Sequence, residues 1–243
     1  MAFFLCLSTF ISLGQHTDKE TSCMFQIQEK ADSTIASCFK EKNDKNLLPL
    51  IERLRLEYKK QPVDLNLYWQ GYLQYFQSII KQTNGDKKGA KECINNAYKT
   101  LDKANQKNSE SYALMALVRS YSINFNRFSV IFISRDAIGF AKKAIKMEPN
   151  NPRGYYARGS HEFYTPSSMR KNKDAEKWLL KVIELSQNRQ ANPFTPSWGE
   201  QEAYELLIRL YQQTGEELKA KKTLHNALKK YPNNYQFKKL EGA

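Results

Sequence analysis

Two neighbouring apolar stripes at helical spacing, within residues 204–232, constrain the fold of this chain more than any other feature. The first stripe, at i, i+3, i+4 and i+7, consists of Tyr204, Leu207, Ile208 and Tyr211. The second consists of Ala220, Leu224 and Ala227. Gly215, in the polar break between them, can take the positive φ of a helix end, and Pro232 stops the second helix. The pattern predicts two helices joined by a short turn, with small alanine side chains where their backbones approach.

This spacing resembles the tetratricopeptide repeat, a helix–turn–helix unit of about 34 residues with an aromatic residue, Leu-Gly, Tyr, Ala and Pro at fixed offsets. Tyr204, Leu207 and Tyr211 match the first helix of that repeat. Ile208 stands where the family usually has Gly or Ala. The resemblance implies a scaffold for binding, because the repeat carries no chemistry of its own.

Weaker copies of the pattern occur along the rest of the chain. Their first helices contain Tyr68, Gly71 and Tyr75, then Tyr112, Met115 and Ala116, then Tyr155 and Gly159. Their second helices contain Ala90, Ile94 and Ala97, then Ala137, Ala141 and Ala144, then Ala175, Leu179 and Val182. A degenerate second helix spans 47–60, an insertion falls within 122–134, and Tyr235, Phe237 and Leu240 are expected to cover the last unit. We predict an all-α fold, a right-handed α-solenoid of about four to five TPR-like units.

The first fourteen residues carry no charge and are mostly apolar. This stretch is too short to span a bilayer as a helix and is typical of a secretory signal, with small Ser12 and Gly14 before a cut near Gln15. No basic residue opens it, and the alternative is an N-terminal helix packed on the domain. We predict a signal peptide at 1–14, a solenoid domain at 15–243, export to the periplasm or the medium, and no transmembrane segment in the mature chain.

The cysteines and histidines point to no metal site. Cys23, Cys38 and Cys93 would remain after signal cleavage, and their spacing fits no zinc pattern. Cys93 lies in a helical stripe, which favours a buried thiol. The sequence leaves open whether Cys23 and Cys38 form a disulfide. The three histidines are His16, His161 and His225, none with a carboxylate or cysteine at ligand spacing.

No motif of an enzyme occurs in the sequence. A Gly-rich phosphate loop, a nucleophile elbow and paired Glu-x-x-His helices are all missing from the sequence. We therefore predict that the protein is not an enzyme and needs no cofactor. The Asp and Glu side chains are expected on solvated helix faces.

The formal charge of +13 comes from 38 Lys and Arg against 25 Asp and Glu. The lysine clusters lie at 87–91, 142–146, 170–173, 219–222, 229–230 and 238–239. Several fall on second helices, opposite the apolar stripe, so a solvated outer face is one interpretation. The other is attraction to an anionic polymer. Nucleic acid is not expected as a partner, because the chain has no nucleic-acid-binding motif and is predicted to be exported.

The resemblance implies that a protein or peptide binds the concave surface, at four recurring positions of the first helices. The corresponding residues are Asn66, Trp69, Leu73, Phe76, Arg153, Tyr156, Ser160, Phe163, Glu202, Glu205, Arg209 and Gln212. Their aromatic rings can accept apolar side chains, and Arg153 or Arg209 a carboxylate. The alternative is that Trp69 and Tyr156 pack between neighbouring helices. The Lys/Asn clamp of chaperone-binding relatives is not visible.

Two loops rich in proline and aromatic residues interrupt the repeat. One contains Tyr164 and Pro166, and the other contains Pro196 and Trp198. Such loops on a rigid scaffold often carry function. We predict that Trp198 docks near Tyr164 and Pro166, so that the loops brace each other; the alternative is a partner-binding edge. Residues 150–235 resemble small exported bacterial repeat proteins, which implies no activity.

These observations predict a non-catalytic protein- or peptide-binding scaffold, exported to the cell envelope. The alternative is an envelope-associated binder of anionic polymer through the basic outer face. Salt distinguishes them, since polyanion binding should weaken steeply with ionic strength, whereas binding in an aromatic groove should change little.

Overall fold

The computed structural model describes residues 24–166, 175–187 and 192–241, and their regular elements are all helical. The α-helices in this part of the chain are α1 (Ile27–Glu41), α2 (Leu47–Lys60), α3 (Asp64–Thr83), α4 (Lys87–Asp102), α5 (Ser109–Ser122), α6 (Val130–Met147), α7 (Pro152–Tyr164), α8 (Ala175–Ser186), α9 (Glu200–Thr214), α10 (Glu217–Lys230) and α11 (Tyr235–Glu241). The expected signal peptide at 1–14 lies outside the described residues, as does Cys23 of the possible disulfide.

The helices pack as consecutive pairs: α1 with α2, α3 with α4, α5 with α6, α7 with α8 and α9 with α10. The first helix of each pair contacts the first helix of the next pair, and each second helix contacts the following first helix. Because neighbouring first helices touch one another, they form the inner, concave layer, and the second helices form the outer layer. A chain of pairs joined in this way is an α-solenoid, which confirms the predicted fold class.

The turn between α9 and α10 has the geometry that the sequence predicts. Gly215 adopts the left-handed conformation at φ 75°, and its N–H points to the carbonyl groups of Gln212 and Tyr211 at the end of α9. A side chain would be strained at this φ, so glycine lets the chain reverse within a few residues.

Small residues stand where helices of one pair come closest. Ala220 and Ala227 of α10 are 4% and 0% exposed, as expected from the sequence. In α3, a Cβ added to Gly71 would lie 2.6 Å from the side chain of Leu101 in α4. Gly159 in α7 faces Leu179 of α8 in the same way, at 3.0 Å. The recurrence of this contact shows that both pairs share one packing geometry.

The short helix α11 covers the open end of the last pair. Phe237 is 1% exposed, and its ring contacts those of Tyr204 and Tyr231 at centroid distances of 6.5 and 6.2 Å. Leu240 packs against the same cluster. Tyr235, which was expected to help, is instead 74% exposed. The final apolar face is therefore capped mainly by one phenylalanine.

The predicted insertion between α5 and α6 forms two short 3-10 turns, Ile123–Phe125 and Arg127–Ser129. Phe125 packs against the ring of Tyr121 at 5.8 Å, which holds the first turn on the core. Phe128, in the second turn, is fully exposed. The insertion thus places an unpartnered aromatic ring at the start of α6.

Cys38 is completely buried, and Cys93 is 8% exposed, as the sequence predicts for an apolar thiol. Burial raises the pKa of the Cys93 thiol to about 11, which makes it a poor nucleophile at neutral pH. None of the helices in the described residues is long and apolar enough to cross a membrane.

Candidate functional site

The glycine contacts fix which side chains of the first helices point to the concave face. Gly71 and Gly159 occupy equivalent places, because each lies against a leucine of its partner helix. In α7, Arg153 and Tyr156 precede Gly159 and point to the concave face, as predicted. The residue of α3 at the same distance from Gly71 as Tyr156 is from Gly159 is Tyr68. The concave position in α3 is therefore Tyr68 and not Trp69, which was predicted.

The predicted binding residues of α3 are therefore corrected. Trp69 and Leu73 have no exposed surface and belong to the hydrophobic core, and Asn66 is 5% exposed. Phe76 is half-buried, with its ring 5.0 Å from that of Tyr72. The sequence pattern was aligned on Tyr68, which leaves Gly71 one position before the small residue of the family. A shift of one residue along a helix turns the predicted binding face by about 100°.

The loop before α9, residues 192–199, crosses the concave face and fills one side of it. We call this segment the Trp198 loop. Trp198 is 7% exposed, and its Nε1 donates a 2.7 Å hydrogen bond to the hydroxyl of Tyr68. Its ring stacks on Tyr72 at 6.2 Å and meets Tyr156 edge-on at 5.8 Å. Aromatic side chains from α3 and α7 thus enclose the indole on the inside of the solenoid.

The Trp198 loop also reaches the first helix pair. The backbone N–H of Ser197 donates to Oε1 of Gln28 in α1 at 3.2 Å. Phe194 contacts the ring of Phe25 just before α1, at 6.0 Å. The loop therefore links the last helix pair to the first two pairs across the concave face.

Arg153 fixes the loop on the α7 side. Its guanidinium is 1% exposed and makes a bidentate ion pair with Glu110 of α5. It also lies 5.9 Å from the ring of Trp198, and Nη1 donates to the carbonyl of Trp198 at 3.5 Å. Arg153 was predicted to accept a ligand carboxylate, but its charge is already paired inside the protein.

The sequence predicted that Trp198 docks near Tyr164 and Pro166, and this prediction is wrong about the residues that contact Trp198. Trp198 is buried, as predicted, and Pro196 is buried beside it. Tyr164, however, is 63% exposed and its ring contacts only that of Phe163 among the described aromatic residues, while Pro166 is exposed as well. The aromatic faces of Tyr72 and Tyr156 offer Trp198 a more enclosed site than the end of α7 does.

Next to the Trp198 loop, side chains from the inner faces of four successive first helices come together, and we call this surface the concave crevice. It is lined by Tyr75, Tyr121, Tyr156, Glu202 and Glu205, all half-buried. The rings of Tyr75 and Tyr121 meet edge-on at 5.7 Å. The side chains come from α3, α5, α7 and α9, so the crevice exists only when the helix pairs are stacked.

Burial raises the pKa of several of the polar groups that line the crevice. Burial raises the pKa of Tyr75 and Tyr156, and the nearby carboxylate of Glu202 raises both further. Burial also raises the pKa of Glu202, with Asp32 and Glu205 adding like charge, while the N–H of Gly199 donates to its Oε2 at 2.8 Å. The phenols therefore remain protonated donors around carboxylate acceptors.

The predicted residues of α9 form the far rim of this crevice. Arg209 lies 3.6 Å from Glu205 and 5.4 Å from the ring centroid of Phe163. Phe163 and Ser160 are largely buried, at 5% and 8% exposure, whereas Gln212 is exposed. The rim thus offers one arginine and one carboxylate that are both partly accessible.

The two histidines in the described part of the chain, His161 and His225, lie outside the crevice. His161 is 7% exposed and shares a 2.9 Å hydrogen bond between Nδ1 and the hydroxyl of Ser120. Burial, with the charge of Arg158, lowers the pKa of His161 to about 4. His225 is exposed on the outer helix α10. In the part of the chain that is described, no three His, Cys, Asp or Glu side chains are grouped as metal ligands.

An outer hollow of about 530 Å³ lies between α7 and α8, lined by Tyr155, Trp178 and Lys181 among others. The lysine cluster that the sequence shows at 170–173 lies outside the described residues.

Comparison with family models and with curated protein sequences gave no match. Among solved structures, the chain is similar to the HusA haemophore from Porphyromonas gingivalis, with 18% identity, a TM-score of 0.55, and 77% of this chain and 94% of that chain covered. It is also similar to YrrB, described as a TPR protein with an unusual peptide-binding site, with 11% identity, a TM-score of 0.42, and 86% and 98% covered. At these identities the likeness concerns the fold alone.

Proposed function

We propose that the protein is a non-catalytic binding protein whose ligand occupies the concave crevice. The main support for this proposal is that four helix pairs bring together one half-buried surface. Its side chains are Tyr75, Tyr121, Tyr156 and Glu202. Half-buried aromatic rings beside a few polar groups are the usual composition of a ligand pocket. The Trp198 loop closes one side, so the ligand enters from the side of Glu205 and Arg209.

The chemistry of the crevice favours a ligand that combines an apolar planar group with a cationic or donor group. The faces of the tyrosine rings attract aromatic and cationic groups of a ligand. The carboxylates of Glu202 and Glu205 can accept hydrogen bonds from its cationic or donor groups. A ligand carboxylate would pair with Arg209 at the rim, since Arg153 is already paired with Glu110. The first candidate is therefore a peptide segment with an aromatic and a basic side chain.

Peptide selection tests this candidate. Peptides selected from a random library on the full chain should be enriched in aromatic residues next to Lys or Arg. Their affinity, measured by calorimetry, should fall by about tenfold in Glu205→Lys, which equals about 1.4 kcal/mol. The matched control is Glu217→Lys on the outer helix α10, which should bind as wild type does. Equal affinities of all three proteins would refute binding in the crevice.

A planar tetrapyrrole is the second candidate. The tyrosine-lined crevice favours it, and the likeness in fold to a haemophore suggests it. Because the described histidines lie outside the crevice, such a ligand would be held by stacking and by its edge groups rather than by an iron–imidazole bond.

Absorbance titration distinguishes this candidate. Haemin and metal-free protoporphyrin should both show a saturable shift of the Soret band with the full chain. Tyr156→Ala should weaken both by about tenfold, because it removes one stacking face worth on the order of 1 kcal/mol or more. Tyr235→Ala, at a 74% exposed site outside the crevice, is the control. Binding that depends on iron, or that is unchanged in Tyr156→Ala, would refute this candidate.

Export to the periplasm or the medium completes the proposal and rests on the apolar segment at 1–14. N-terminal sequencing of the protein from its own host should begin near Gln15 or His16. Recovery of intact Met1 from the cytoplasm would contradict export.

A further inference from the structure

The outer surface of α6 carries an exposed face whose two ends differ in chemistry. Its residues follow one another at helical spacing and are all exposed: Phe128, Ile131, Phe132, Arg135, Lys142 and Lys146. We call this set the α6 face. The apolar end consists of the first three, and the basic end of the last two. Ile131 and Lys146 are about 22 Å apart along the helix.

The apolar end is unusually exposed for such large side chains. Phe128 has no covered surface, and Ile131 and Phe132 are 74% and 62% exposed. Phe128 comes from the insertion that departs from the repeat pattern, so it is not part of the packing that holds one pair to the next. Leaving three large apolar side chains in water costs free energy, which favours an apolar environment around them.

Arg135 joins the two ends. Its guanidinium lies 5.4 Å from the ring centroid of Phe132, and the next residue, Asp136, is paired with Arg119 at 2.8 Å. Asp136, the one acidic residue of α6, is thus engaged, and the charged residues of the α6 face are basic. The chain as a whole carries a formal charge of +13.

We propose that the α6 face docks on an anionic lipid surface, with Phe128, Ile131 and Phe132 inserted among the lipid headgroups and the basic end lying on them. The binding of a helix to a membrane interface strengthens with the apolar area buried among the lipids and with electrostatic attraction to anionic lipids. Each lysine or arginine near an anionic surface adds to the attraction. A second copy is disfavoured as the partner, because a twofold contact would bring two basic surfaces together and three apolar side chains bury too little area.

Vesicle co-sedimentation of the full chain tests this proposal. Wild type should bind vesicles of phosphatidylcholine mixed with phosphatidylglycerol and bind pure phosphatidylcholine far more weakly. The combined variant Phe128→Ser, Ile131→Ser and Phe132→Ser should lower the partition coefficient by about tenfold or more. Leu218→Ser on α10, also a highly exposed apolar site, is the matched control and should bind as wild type does. Residues 1–14 are present in every variant, so the comparison cancels their own lipid affinity.

A charge variant checks the basic end separately. Arg135→Gln, Lys142→Gln and Lys146→Gln together should lower binding to the anionic vesicles and reduce its salt dependence. Unchanged binding of the apolar variant, or equal binding of wild type to both kinds of vesicle, would overturn the proposal. A dimer of wild type in light scattering that the apolar variant converts to a monomer would also overturn it, in favour of a second copy. The crevice experiments above are independent of these outcomes.

Discussion

The Nε1 of Trp198 donates a 2.7 Å hydrogen bond to the hydroxyl of Tyr68, a residue 130 positions earlier in the chain. Solenoids are held mainly by contacts between neighbouring units, so a bond from the fifth pair to the second is a departure from that pattern. It is possible because the concave face brings both residues to the same side. The bond makes the Trp198 loop part of the wall of the concave crevice.

Replacing Trp198 tests how much this contact stabilises the fold. Trp198→Ala should lower the free energy of unfolding by about 3–5 kcal/mol, because a nearly buried indole is lost. Trp198→Phe keeps a ring and loses the hydrogen bond, so its cost should be smaller, on the order of 1–3 kcal/mol. Phe194→Ala, at a half-buried ring of the same loop, is the comparison. An unchanged urea midpoint for Trp198→Ala would mean that the loop does not stabilise the solenoid.

The ion pair between Arg153 and Glu110 should matter far more than an exposed pair of the same type. Arg153→Met removes a nearly buried guanidinium from its ion pair with the carboxylate of Glu110 and should cost about 3–5 kcal/mol. Arg55→Met removes the exposed pair with Glu52, whose side chains are about half exposed, and should cost less than about 1 kcal/mol. Similar losses in chemical unfolding would show that Arg153 is not held in a dry environment.

Two glycine substitutions test the packing register. Gly71→Ala should destabilise by about 1–3 kcal/mol, because its Cβ would overlap the side chain of Leu101. Gly139→Ala, where a Cβ would meet no atom within 4 Å, should stabilise by about 0.5–1 kcal/mol, because alanine is the better helix former. Thermal unfolding of the two variants measures the difference. A stabilising Gly71→Ala would contradict the register on which the concave positions rest.

The stability of the protein should depend on the protonation of His161. Its pKa is about 4 in the folded protein and about 6.5 in an unfolded chain, so the unfolded state binds more protons between these values. The free energy of unfolding should therefore fall as pH decreases from about 6.5 to 4, by on the order of 2–3 kcal/mol. His161→Gln should lose this component. Parallel pH profiles for wild type and variant, measured by urea unfolding, would contradict the assignment.

The sequence predicted the helices and their pairing because each is encoded locally, by stripes such as Tyr204 to Tyr211 and by turn residues such as Gly215. It did not predict the course of the Trp198 loop, because nothing near Trp198 specifies contacts with Tyr68 or Gln28 far earlier in the chain. The one-residue shift in α3 has a different cause. Gly71 is the small residue that meets α4, and the family pattern was aligned on its neighbours instead.

The central claim is that the concave crevice holds the ligand, and site-specific labelling tests it most directly. In a background with Cys6→Ser and Cys23→Ser, a thiol is introduced by Glu205→Cys in the crevice or by Lys222→Cys on the outer face. The native Cys38 and Cys93 are buried and should react slowly. Saturating protoporphyrin or a selected peptide should slow maleimide labelling of Glu205→Cys by about tenfold or more and leave Lys222→Cys unchanged. Equal labelling rates of Glu205→Cys with and without bound ligand would contradict the account.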